Sequence, residues 1–317
     1  AGPLTNETIF NLTELPARLA VIGGGPIGCE LAQTFARFGS QVTLLDMENH
    51  VLVREDADAA EVVQKALERD GVQLELGVKV LEARRGVLVI ERQGQKKEIA
   101  ADRILVAAGR APNIEGLGLE AAGVRSTKQG VEVDDHFRTS NKNVFACGDV
   151  ASRFQFTHVA DAQARIVIQN ALFFGRSKAS ALTIPWCTYT TPEIAHVGLY
   201  EKDAKERGIE VDTLTVPLSS VDRAILDGAD EGFLRLHLEK GKDRILGATL
   251  VAEHAGDMLG ELCLAITHGI GLGKIASVIH PYPTQGEVIK KAADQWRRTR
   301  LTPGVKKLFE RWFRVFR

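Results

Sequence analysis

The sequence predicts an α/β domain built on a parallel sheet, followed by a separate α+β domain. Three observations carry that expectation. A short apolar strand runs into a glycine turn and a helix near the start of the chain. Strands and helices then alternate to about residue 76. From about Ile184 the pattern changes to long strands of antiparallel type followed by helices.

Leu19 to Ile22 form the first apolar strand, which enters Gly23-Gly24-Gly25-Pro26-Ile27-Gly28. The following "CELAQTFARFG" has the 3.6-residue period of a helix that stops at Gly39. "QVTLLD" is a second buried strand closed by Asp46, "DADAAEVVQKALERDG" a second helix stopped by Gly71, and "VQLEL" a third strand. Short alternating runs at 78–83, 87–91 and 97–100 predict an antiparallel meander, after which "RILVAAG" returns as a buried strand ending at Gly109. "NVFACGDVA" predicts a strand capped by Gly148-Asp149, with a helix over 158–172. Beyond residue 184, "GFLRLHLEK" and "RILGATLVAE" read as paired strands, with helices at 255–269, 286–298 and 302–316.

Gly23, Gly25 and Gly28 make a GxGxxG spacing directly after a strand and at the start of a helix, and Asp46 ends the next strand. In that context the glycines predict a Rossmann-type dinucleotide site. The first allows the tight turn, the second lets backbone N–H groups approach a pyrophosphate, and the third lets helix pack on strand. The helix N-terminus attracts the anion. Asp46 would accept hydrogen bonds from a ribose, whereas a 2′-phosphate would meet a like charge that Met47-Glu48-Asn49 cannot offset, so NAD(H) is expected over NADP(H). The plainer readings are a structural glycine turn and a solvated carboxylate at a strand end.

A chain of 317 residues, 44% hydrophobic and 26% charged, has the composition of an ordinary two-domain globular protein. Its net charge is −1, but residues 297–317 hold eight Lys or Arg against one acid, a local +7 that leaves −8 for the rest. Cys29, Cys147, Cys187 and Cys263 are too scattered for a metal site or a compact disulfide framework, which points to a reducing compartment. No apolar run approaches a membrane span and no leader opens the chain, so a cytoplasmic location is expected. The start at Ala1, with "AGPLTNETIF", reads as a connecting segment and predicts a fragment of something longer.

The segments "LAVIGGGPIGCELAQTFARFGSQVTLLD", "ILVAAGRAPN", "TSNKNVFACGDVA", "VADAQAR" and "EHAGDMLGELCLAI" follow one another in a familiar order. Through them the chain resembles the class I, flavin-dependent pyridine nucleotide-disulfide oxidoreductases, the family of dihydrolipoamide dehydrogenase, glutathione reductase and mercuric reductase. The resemblance implies a connector at 1–15 from a preceding FAD domain, an NAD-binding domain at 16–136, the C-terminal part of an FAD-binding domain at 137–183, and an α+β dimerisation domain at 184–317. It implies that Gly148 and Asp149 meet the ribityl chain of FAD, that Glu30 lies near the flavin–nicotinamide junction, and that Gly109 and Arg110 join the cofactor-binding set. It also implies a homodimer. The family's own first GxGxxG and its redox-active cysteine pair are not in this sequence, and Cys29 and Cys147, read as buried thiols in different elements, cannot replace the pair. The chain as it stands is therefore expected to hold FAD weakly and to be inactive.

In "IHPYPTQGE", residues 279–287, the disulfide reductases of this family place a proton-shuttling histidine where Tyr282 stands, oriented by a glutamate that Glu287 matches. Near pH 7 only about one phenol in a thousand is ionised, so Tyr282 is a poor resting base. His280 lies roughly 6.5 Å away along an extended chain, too far to take the same place. Tyrosine here resembles mercuric reductase, but the chain ends "FERWFRVFR" without that enzyme's terminal cysteine pair. The resemblance thus implies passage of hydride from NADH to FAD and on to a disulfide or metal-type acceptor, either a small molecule or a small thiol. Tyr282 and Glu287 would be the catalytic side chains, reaching in from the partner subunit. Dihydrolipoamide dehydrogenase and a non-catalytic nucleotide-binding and dimerisation module are the alternatives.

Phe309, Trp312, Phe313 and Phe316 share one face of the last helix, with Lys306, Lys307, Arg311, Arg314 and Arg317 largely elsewhere. Such a helix can rest weakly on an anionic membrane surface, although a stripe of this kind more often packs on its own domain or on a partner. No recognition motif for nucleic acid accompanies it.

Overall fold

A computed structural model describes residues 2–84 and 86–315. Ala1, in the predicted connector, and Phe316 and Arg317, in the basic C-terminal stretch, lie outside the described residues. The chain divides into two compact units, Ala1–Ala108 with Pro185–Arg317, and Gly109–Ile184.

The predicted alternation opens the first unit: β1 (Arg18–Ile22), α1 (Pro26–Arg37), β2 (Gln41–Leu45), α2 (Ala57–Arg69) and β3 (Gln73–Glu75). An antiparallel meander, β4 (Lys79–Arg84), β5 (Val87–Arg92) and β6 (Gln95–Ala100), precedes β7 (Arg103–Val106). β3, β2, β1 and β7 lie side by side in a parallel sheet. Because strand side chains alternate, the sheet buries two different faces. Leu19, Val21, Val42 and Leu44 pack with Cys29, Ala32, Val63 and Leu67 of α1 and α2. Ala20 and Leu45 pack with Leu88, Ile90 and Ile99 of the meander. Each fully buried leucine contributes roughly 1.5–3 kcal/mol relative to exposure.

The segment predicted as a connector is part of this layer. Leu4 bridges to Leu105 on the outer edge of β7, its N–H 2.7 Å from the Ile104 carbonyl, and Leu4 and Ile9 are buried.

The second unit holds the two-residue strands β8 (Ser126–Thr127) and β9 (Gly130–Val131), a 3₁₀ turn at Gly148–Val150, and α3 (Thr157–Leu172). One expectation is corrected here. "NVFAC" forms no strand: among the described residues its only bridge is Phe145 to Arg138, and a ladder needs a row of partners. Residue 136, the expected end of the NAD-binding domain, lies within this unit. Residues 109–136 are tied to the segment just beyond them: Ser140 Oγ donates to the Gly123 carbonyl at 2.8 Å, Asn141 Nδ2 to the Ala122 carbonyl at 2.7 Å, and the Arg138 N–H to Asp134 at 2.9 Å.

The first unit resumes with β10 (Pro185–Thr188), β11 (Glu193–Gly198), α4 (Glu201–Glu206), β12 (Val211–Pro217), α5 (Asp222–Asp227), β13 (Phe233–Glu239) and β14 (Ile245–Ala252). After these come α6 (Ala255–His268), α7 (Leu272–Ile275), α8 (Glu287–Thr299) and α9 (Pro303–Val315). The strands form an antiparallel sheet in the order β10-β11-β14-β13-β12. Leu234, Leu236, Leu250, Leu259, Leu262 and Val288 lie in its core. Ile194 and Val251 of this part also pack in the apolar cluster that lines the parallel sheet. Gln33 exchanges hydrogen bonds with the backbone of Thr191 at 2.7 and 2.9 Å, and Arg235 ion-pairs with Asp56 and Asp58.

Candidate functional site

The turn between β1 and α1 is built as its glycines require. Gly23 has φ +112°, and a Cβ there would stand 2.6 Å from the Ala107 carbonyl oxygen of the chain leaving β7. A Cβ on Gly28 would stand 1.8 Å from the Gly23 carbonyl oxygen, so only glycine lets the helix approach so closely. Gly25 differs: it caps α1 ahead of Pro26 and has nothing within 4 Å of a Cβ position. The open space lies where the first-turn N–H groups of α1 have no intrahelical acceptor.

Asp46 follows β2 and points into this turn. Its carboxylate accepts from the Gly24 N–H and, at 2.8 Å, from the Glu48 N–H. An ionised carboxylate has about four acceptor sites, so two remain for hydroxyl donors. One helical turn on, Glu30 accepts from the Tyr189 N–H at 2.9 Å. Cys29 is fully buried and donates to the Gly24 carbonyl, and burial followed by the charges of Glu30 and Asp46 pushes its thiol up. It is inert for the reason expected. Cys147 is half-buried in extended chain, not in a buried strand as expected; burial alone pushes its thiol up.

The loop 279–287 connects α7 to α8. The Tyr282 phenol donates to Asp222 Oδ2 at 2.8 Å, and this bond, then the Asp222 charge, raises its pKa above the ordinary phenol value. Glu287 begins α8, with Oε1 3.6 Å from Lys291 Nζ and Oε2 buried without a hydrogen-bond partner among the described residues. The phenol is therefore oriented by Asp222 and not by Glu287, a partner sequence reading did not name because it lies sixty residues earlier, at the first position of α5. Gln285 leans the same way, donating to Asp227 at 3.1 Å. His280 is engaged elsewhere, with Nε2 3.1 Å from Glu261 Oε1.

In the second unit, Gly148 takes φ +75°, and its N–H donates to the buried Gln163 Oε1 at 2.7 Å. This turn leaves the Asp149 carboxylate exposed ahead of α3. Gly109 has φ +119°, and the Arg110 guanidinium donates to the Gln155 carbonyl at 3.3 Å.

These residues fit a pyridine dinucleotide. No atom lies within 4 Å of a Cβ position at Gly25, the helix end supplies donors, and Asp46 keeps acceptor capacity for a hydroxyl.

Residues 2–164 match the family described as pyridine nucleotide-disulphide oxidoreductase, and residues 184–293 match its dimerisation domain. Mercuric reductase from Staphylococcus aureus is 37% identical over 295 residues, covering 92% of this chain and 54% of that protein. Dihydrolipoyl dehydrogenase from Geobacillus stearothermophilus is 37% identical over 296 residues, covering 92% and 63%. The chain thus spans about half the length of the first relative and under two thirds of the second. Among solved structures, the HOCl-induced flavoprotein disulfide reductase RclA from Escherichia coli matches with a TM-score of 0.84 at 29% identity, over 92% of this chain and 68% of that one. LpdA from Mycobacterium tuberculosis matches with a TM-score of 0.85 at 28% identity, over 92% and 64%. The family binds FAD and NAD(P)H. On this agreement of fold, glycine turn and matched sequence, the chain belongs to the class I pyridine nucleotide-disulphide oxidoreductases.

Proposed function

We propose that this chain is the coenzyme-docking and subunit-pairing part of a flavin-dependent NADH oxidoreductase whose acceptor is a disulfide or metal-type substrate, as in mercuric reductase. The observation that carries the reading is the open face beside Gly25, framed by Gly23, Gly28 and the Asp46 carboxylate. FAD, when bound, supplies the two-electron relay between pyridine nucleotide and acceptor. Gly148, Asp149, Gly109 and Arg110 would contribute to its binding, and Glu30 would border the nicotinamide. Asp46 selects NADH over NADPH because a 2′-phosphate beside it would be repelled.

Tyr282 donates a hydrogen bond in the neutral range; a phenol whose pKa is raised by Asp222 takes up no proton there. That favours the mercuric-reductase-like reading over dihydrolipoamide dehydrogenase, which needs a base at this position. Residues 184–293 support a homodimer in which Tyr282 and Glu287 serve the partner's site.

Calorimetry on the 317-residue chain tests the docking half. NADH should bind at least tenfold more tightly than NADPH, and Asp46→Ala should narrow the gap. Equal affinity, or preference for NADPH, would refute it. Bleaching of the flavin absorbance when NADH is added to the flavin-loaded protein separates this enzyme from a non-catalytic binding module.

A further inference from the structure

α9 lies beyond residues 184–293, the part matched by the dimerisation domain. It is a distinct element: α8 ends at Thr299, and a new helix starts at Pro303 with the Val305 N–H 3.4 Å from Thr302 Oγ1. α8 buries Val288, Ile289, Ala292 and Ala293, whereas α9 buries no residue. Its large side chains stand in solvent, with Leu308 64%, Phe309 46%, Trp312 58%, Phe313 58% and Val315 76% exposed.

At 100° per residue, Val305, Leu308, Phe309, Trp312, Phe313 and Val315 occupy one arc of about 160°. Lys306, Lys307, Glu310, Arg311 and Arg314 fill the opposite side. Lys306 borders the apolar arc next to Phe313, and Arg311 borders it next to Val315. Arg297, Arg298 and Arg300, all exposed, extend the positive charge toward α8.

We propose that α9 docks on an anionic lipid surface. Aromatic residues on one face, with cations at both borders, match an interfacial helix lying in the plane of a membrane. The border lysine and arginine reach out of the apolar layer to lipid phosphates. The occupant follows from charge. A second copy of α9 packed on this face would set border cations against border cations, with Glu310 in the middle of the polar side and unable to offset them. A negatively charged lipid surface meets the same cations favourably.

Co-sedimentation of the intact chain with vesicles tests this. Vesicles of phosphatidylcholine containing about 30% phosphatidylglycerol should bind it at least tenfold better than phosphatidylcholine alone, with most binding lost in roughly 0.5 M salt. The pair Trp312→Ser with Phe313→Ser should abolish binding through the apolar term, and Lys306→Glu with Arg311→Glu through the charge term. Both pairs should leave NADH affinity unchanged, so failure here is distinct from failure of the coenzyme reading. Binding that ignores either pair, equal binding to both vesicle types, or α9-dependent self-association or oligonucleotide binding in place of vesicle binding would overturn the proposal.

Discussion

Tyr282 gives its phenolic hydrogen to Asp222, across a gap between the loop before α8 and the first residue of α5. Both the bond and the carboxylate charge favour the neutral phenol, so the tyrosine ionises later than an ordinary one. Asp222→Asn removes the charge and is expected to lower the Tyr282 pKa. Ring-carbon chemical shifts followed through an alkaline titration would read this directly. No movement of the midpoint would mean that the hydrogen bond does not persist in solution.

Two glycines of one turn should separate folding from binding. Gly28→Ala drives a methyl into the Gly23 carbonyl and is expected to cost about 3 kcal/mol or more of stability. Gly25→Ala meets no neighbour and should cost only the loss of a favourable N-cap residue, about 1 kcal/mol. It should still weaken NADH binding at least tenfold, because the methyl occupies the side from which a phosphate approaches. Thermal unfolding and calorimetry on the two variants check both halves, and equal losses of stability would contradict the geometry.

The elements legible in the sequence are those whose signals are local. β1, β2, β3 and β7 were readable as apolar runs, β4 to β6 as alternating ones, and α1, α2, α3 and α6 from helical stretches between their stop signals. β10, β11 and β12 escaped notice because their positions depend on partners: β11 is an inner strand only because β10 and β14 flank it. The reverse failure occurred at "NVFAC", whose apolar run lacks a partner ladder among the described residues. The glycine turn and Asp46 were readable from spacing, yet the donors on Asp46 were not, since Gly24 closes back on it only in three dimensions. Asp222 carried no signal at all: an exposed-looking acid sixty residues from Tyr282 becomes its partner through packing of α5.

Burial of His196 gives a prediction for acid stability. The imidazole stacks on Tyr200 at 3.6 Å, bonds to Thr249 Oγ1 at 2.8 Å, and is pushed down to about 3 chiefly by burial. Between the unfolded value near 6.5 and about 3, the unfolded chain binds the extra proton, so stability falls as pH falls through that window. The slope from this one group reaches about 1.4 kcal/mol per pH unit. Glu55, raised above the ordinary carboxylate value by burial against the opposing hydrogen bonds from Tyr200 and Trp186, acts with the opposite sign above its unfolded value. His196→Gln should therefore flatten the acid limb of the stability curve measured by denaturant titration, and an unchanged slope would show that another group sets it.

Arg235 joins β13 to the start of α2, with Nη1 2.9 Å from Asp58 Oδ1 and 3.1 Å from Asp56 Oδ2, and its side chain is only 17% exposed. Removing it leaves two acids without their cation. Arg235→Ala is expected to cost about 2–3 kcal/mol. Adding Asp58→Asn should recover part of that loss in a double-mutant cycle, whereas strict additivity would mean that the pair is not coupled.

The first unit is interrupted by all of Gly109–Ile184, so its second half is synthesised late. Leu19, Val42 and Leu44 are translated early, but Ile194 and Val251, which help close the same core, emerge about 150 to 230 residues afterwards. At the usual 5–20 residues per second, that interval is on the order of ten seconds or more. During it, the nascent chain carries an apolar layer that its later residues have yet to cover.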